Sequence, residues 1–88
     1  MKKLLAFADK QADLDAWRRR HRFDPRQIRR VLGWQHIAGE TPKSAALLYL
    51  SYRIPEEAEP YVRIYDYQGM RRFYSDDAAA AWIWLVSP

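Results

Sequence analysis

No cysteine occurs anywhere in this chain of 88 residues, so neither a disulfide framework nor a thiolate zinc site can hold the fold together. A chain this short buries only about 60–65% of the surface its unfolded form exposes, which leaves stability to a few large side chains. The sequence supplies four Trp, six Tyr and three Phe, and each such ring can bury on the order of 150–250 Å². A single domain over residues 1–88 is the expected organisation. The apolar run Leu4–Ala8 stops at Asp9, too early for a secretory signal. Ala78–Val86 falls well short of the roughly 18–20 residues a spanning helix needs. The expectation is therefore a cytoplasmic protein without membrane contact.

The pattern along the chain sets the elements. Lys2–Asp9 (KKLLAFAD) reads as a buried strand, and Gln11–Phe23 as a helix with Leu14, Trp17 and His21 on one side. Asp15, Arg18, Arg19 and Arg22 share the other side, and Asp15 to Arg19 is a favourable i,i+4 pair. Asp24 precedes Pro25 and should end that helix. Gln27–Trp34 fits either a helix capped by Asp24, Pro25 and Gln27, or a short strand. Lys43–Ile54 is equally open, because Thr41-Pro42 resembles a helix start while LLYLSYRI resembles a strand. Pro55–Pro60 (PEEAEP) reads as a loop.

Tyr61–Ser75 reads as a hairpin turning at Gln68-Gly69. Val62, Ile64 and Phe73 would face the core. Arg63, Tyr65, Tyr67, Met70, Arg72 and Tyr74 would face outward. Ser75-Asp76-Asp77 should cap a last helix through AAAAWIWLV, with Ala79, Trp82, Ile83 and Val86 against the sheet and Trp84 exposed. The favoured architecture is α/β (α+β): a β-α-β opening, a later β-hairpin, and a C-terminal helix packed on the sheet. The alternative is three helices followed by a hairpin, an outline like that of a winged helix.

The opening KKLLAFADKQADLDAW, the helix end RRRHRF, the following DPR and then RVLGWQHIAG resemble uncharacterised small accessory proteins of actinobacteriophages over about residues 1–40. The resemblance implies a phage origin and a β-α-β opening, and it carries no activity or functional residue. The chain departs from that pattern at His21-Arg22-Phe23, where a glycine is more usual at the helix exit.

Charge gives the clearest functional lead. Residues 1–39 hold ten Lys/Arg against four Asp, a balance of +6, whereas residues 40–88 hold five against seven, a balance of −2. Seven arginines fall between Arg18 and Arg30. Such a cluster suits nucleic-acid phosphates or an acidic protein surface, although charge runs are more often a solvated face. The Tyr/Arg face of the expected hairpin suits stacked bases or a protein hot spot, although Tyr is also common in strands for packing alone.

Catalytic constellations are lacking. His36 with Glu40 is the only pair at metal-ligand spacing, with no third ligand nearby. Ser44, Ser51 and Ser75 lack a nucleophile elbow, and one carboxylate at the end of the first strand, Asp9, is no mechanism. The expected function is non-enzymatic binding, with no metal and no cofactor. The expected partner is a host or phage protein, met by Arg18, Arg19 and Arg22, with Tyr65, Tyr67 and Arg72 as a second candidate surface. Nucleic acid is the alternative partner, and a homodimer built on the Trp-rich tail or a strand edge is a third reading.

Overall fold

Two short runs, KLLAF and AALLY, contain nothing polar to turn toward water apart from Lys3 and the Tyr49 hydroxyl. Strands of that composition are stable only when both faces are covered. The computed structural model, which describes residues 1–88, uses them as the two central strands of one sheet. The chain runs β1 (Lys3–Phe7), α1 (Gln11–His21), β2 (Ile28–Arg30), β3 (Ala45–Tyr49), α2 (Glu59–Tyr67), β4 (Arg72–Tyr74) and α3 (Ala78–Val86). The strand order is β2-β1-β3-β4 and every pairing is parallel.

Alternate residues serve opposite faces, as the strand period of two requires. Leu4, Ala6, Ala46, Leu48 and Phe73 pack with Leu14 and Trp17 of α1, Phe23, and Ala81 and Leu85 of α3. Leu5, Phe7, Ala45 and Leu47 pack with Val62 and Tyr65 of α2, and with Val31, Ile37, Ala58 and Met70. The result is three layers with α1 and α3 on one face and α2 on the other. The β-α-β opening, the mixed α/β class and the C-terminal helix on the sheet are all present. The three-helix outline is not, because Ile28–Arg30 and Ala45–Tyr49 are strands.

Two local signals work as their chemistry dictates. Trp17 stacks on Phe23 with ring centroids 4.9 Å apart, and its indole N–H donates to the Ser75 carbonyl at 2.8 Å. Asp24 caps Pro25–Gln27 by accepting the Arg26 backbone N–H at 2.9 Å, although the helix it starts is a single 3-10 turn.

Three expectations are overturned. Tyr61–Ser75 is no hairpin: α2 occupies Glu59–Tyr67, and β4 lies parallel to β3. A parallel pair cannot be joined by a tight turn and needs a crossover, here the helix that covers the second face. The PEEAEP loop is instead a 3-10 turn at Glu56–Ala58 running into α2. The last helix is rotated from the expected orientation: Ala81 and Leu85 are buried, Ala78 and Trp84 are half-buried, and Trp82, Ile83 and Val86 face outward.

Candidate functional site

The seven clustered arginines divide into two groups. Arg18 donates to the Phe23 carbonyl at 3.4 Å and braces the end of α1. Arg26 pairs with Asp24 at 3.0 Å. This bond holds the Asp24 carboxyl below its ordinary value of 3.8, chiefly through the hydrogen bonds from Arg26. Arg29 reaches Glu40 at 3.3 Å and Arg30 donates to the carbonyls of Ala8 and Asp9. These four are structural. Arg19, Arg20 and Arg22 are exposed and enter none of the salt bridges in the protein.

Arg22 is held in an unusual conformation. It ends α1 with φ 60° and ψ 39°, while its backbone N–H and that of Phe23 bond back to the last turn. Glycine adopts this left-handed position freely, whereas other L-residues pay about 1 kcal/mol or more for it. It is the only non-glycine residue in the protein with positive φ.

Beside Arg22 lies a groove of about 500 Å³, lined by His21, Arg22, Ala78, Ala79, Trp82 and Ile83. Its floor is α3, a helix without a single charged residue. Trp82 keeps 45% of its surface exposed and Ile83 63%, with Val86 close behind on the same helix. A helix that is apolar all round is ordinarily buried, so this exposed side is a candidate interaction surface. The Trp82 ring also meets Phe23 edge-on, with centroids 5.6 Å apart. The core thereby fixes the orientation of this exposed ring.

The second candidate surface does not assemble. Tyr65 is buried, donating to the Ile37 carbonyl at 2.6 Å and accepting the Glu40 N–H at 3.1 Å. Tyr67, on the same helix, is 94% exposed. Arg72 lies on β4, with Nε 3.8 Å from Asp66. Their shared face existed only in the hairpin. A different tyrosine row forms instead: Tyr49 stacks on Phe7 and on Tyr74, and Tyr52 leans on Tyr74. Burial, reinforced by Asp66, pushes the Tyr49 phenol up to about 12.

His36 and Glu40 do not form a metal pair. His36 Nδ1 accepts the Leu32 N–H at 3.1 Å, and Glu40 binds Lys3 and Arg29. No group of three His, Cys, Asp or Glu residues is placed to hold a metal ion, and no helix is long and apolar enough to cross a membrane. Asp9 accepts a 2.7 Å hydrogen bond from Ser51.

Comparison with known proteins adds no relative. No protein-family model matches the chain, nor does any curated protein or solved structure. Arg19 and Arg22 are exposed, as the sequence pattern expects, whereas Trp82, Ile83 and Val86, expected against the sheet, are surface residues. Ala78–Val86 is apolar on every side, so the sequence held no signal for which side faces out.

Proposed function

We propose that this chain is a small phage-encoded accessory protein, acting in the host cytoplasm, that binds a host or phage protein without catalysing a reaction. The binding surface is the face where α1 ends against α3. The observation that carries the reading is the exposed, charge-free face of α3 beside Arg22, which lines the same groove and enters no salt bridge. Trp and Arg in such a setting are the residue types that dominate protein hot spots. The phage origin rests on the resemblance of residues 1–40.

Charge complementarity selects the occupant: a protein segment carrying carboxylates beside large apolar side chains. A second copy would add another Arg22 and no carboxylate to this face, which opposes self-association there. The strained backbone at Arg22 adds support. An arginine held where glycine is more stable is a sign that its side chain is used.

Tagged protein incubated with nuclease-treated host lysate, wild type beside four variants, tests the proposal. Arg22→Gly should fold as well as wild type or better, by up to about 1 kcal/mol, yet lose capture. Arg19→Glu and Ile83→Asp should also lose it, while Tyr67→Ser should retain it. Capture unchanged in the first three variants would overturn the reading, as would a concentration-dependent dimer that Ile83→Asp dissociates.

Nucleic acid is the second reading, favoured by the run of free cations Arg19, Arg20 and Arg22. It requires capture to vanish with nuclease and to weaken roughly 10–1000-fold between about 50 and 200 mM salt.

A further inference from the structure

The carboxyl ends of β1, β2 and β3 border a second cavity that shares no lining residue with the α1–α3 groove. The connection leaving β1 runs over one face of the sheet as α1, and the one leaving β3 runs over the other through α2. The chain therefore parts between the ends of two adjacent parallel strands, the place where open α/β sheets bind ligands. At this end Ala8, Asp9, Arg30, Leu32, Arg53 and Pro55 line a cavity of about 150 Å³.

Two arginines line this cavity. Arg30 anchors through Nε and Nη2 to the carbonyls of Ala8 and Asp9, at 2.8–3.2 Å. Its Nη1 makes no bond to the protein. Arg53 is placed through its backbone: its N–H donates to Ser51 Oγ at 3.1 Å, and Ser51 donates to Asp9 at 2.7 Å. The loops after β1, β2 and β3 are thus tied together around the cavity.

Two carboxylates stand nearby, Asp9 on the cavity wall and Glu57 beside Gly33, and neither forms a salt bridge with these cations. Asp9 turns to Ser51, and Glu57 stands over Gly33, near enough for an added Cβ there to lie 2.9 Å from its Oε2. Neither arginine enters any salt bridge. Two guanidiniums outside any salt bridge at one cavity, one of them pre-oriented, suit a dianion with oxygens to share between two forks. A carboxylate needs only one fork.

We propose that the cavity between Arg30 and Arg53 binds a phosphate group, free or as the monoester of a small metabolite. Arg30 supplies Nη1, Arg53 closes over the anion from the loop after β3, and Leu32 and Pro55 wall the site. This site is independent of the protein-binding surface, and either can fail without the other.

Titration of the isotope-labelled protein with inorganic phosphate at constant ionic strength, followed by NMR, tests the proposal. The expected result is saturable shifts at the amides of Leu32, Gly33 and Arg53 and at the Arg30 side-chain N–H, with Kd at or below about 1 mM. Arg53→Ala should weaken binding about tenfold or more, and Glu57→Gln should strengthen it by removing a nearby negative charge. Arg53 is exposed, so its replacement leaves the fold intact, whereas Arg30→Ala also loosens the loops. A nucleoside monophosphate titrated in parallel separates the sources. Equal affinity assigns the phosphate group alone, and tighter binding with shifts at Tyr52 assigns a nucleotide. Shifts that never saturate, that centre on Arg19–Arg22, or that persist unchanged in Arg53→Ala overturn the proposal.

Discussion

Tyr65→Phe removes one oxygen atom and tests whether this tyrosine belongs to the core or to a binding surface. The hydroxyl donates to the Ile37 carbonyl at 2.6 Å and accepts the Glu40 N–H at 3.1 Å. Ile37 is fully buried and Tyr65 nearly so, at 4% exposure. The ring stays in place in the variant, so apolar burial is unchanged and only the two hydrogen bonds are lost. An orphaned buried backbone group costs about 1–3 kcal/mol. The Ile37 carbonyl falls fully in that class, whereas the Glu40 N–H borders solvent and can rehydrate in part. The sum is about 2–3 kcal/mol. For a domain of this size each kcal/mol moves Tm by roughly 4–8 °C, giving a fall of roughly 8–24 °C. Thermal unfolding followed by circular dichroism reads the shift, and capture measured well below the lowered Tm should match wild type. A Tm within about 2 °C of wild type would refute the assigned hydrogen bonds. Lost capture from a fully folded variant would return Tyr65 to the binding surface.

Three further outcomes follow from the same geometry. Glu40 accepts from Lys3 and Arg29, each at 3.3 Å, at the amino end of the sheet. Because both cations keep solvent contact, Glu40→Ala should lower stability by about 1 kcal/mol, less in high salt, as chemical denaturation at two salt concentrations will show. Arg30→Ala should cost about 1–2 kcal/mol by releasing the loop carbonyls of Ala8 and Asp9, while Arg19→Ala should stay within about 0.5 kcal/mol of wild type. Equal effects would mean that the two classes of arginine are misassigned. The Tyr49 phenol, raised from 10.0 to about 12 by burial, favours the folded state fully below pH 10, and that contribution is lost as pH rises toward 12. Spectroscopic titration should show a late phenolate step that Tyr49→Phe abolishes.

The sequence alone determined the elements whose chemistry is local. KLLAF and AALLY have no polar face, which leaves burial on both sides as the stable choice. Leu14 and Trp17 mark the inner side of α1, and Asp24-Pro25 stops the chain from continuing as that helix. Arg19 and Arg22 were legible as exposed cations because they fall on the side of α1 opposite Leu14 and Trp17. The absence of cysteine, and with it of any disulfide, is likewise read directly from the residues.

Only the tertiary structure decided the rest. Val62 and Tyr65 fit a helix and Val62 and Ile64 fit a strand, so Tyr61–Tyr67 is ambiguous in isolation. The bare second face of the parallel sheet settles it, because only a crossover helix can both cover that face and return the chain to the same edge. Ala78–Val86 is apolar on every side, so its periodicity holds no record of which side faces inward. Trp84 against Phe73, with Ala81 and Leu85 in the core cluster, makes the choice and turns Trp82 and Ile83 to solvent. Arg18 and Arg30 are removed from the candidate surface by backbone carbonyls at Phe23, Ala8 and Asp9. Every residue carries a carbonyl, so side-chain identity cannot foretell which one an arginine will meet; the folded path of the chain does.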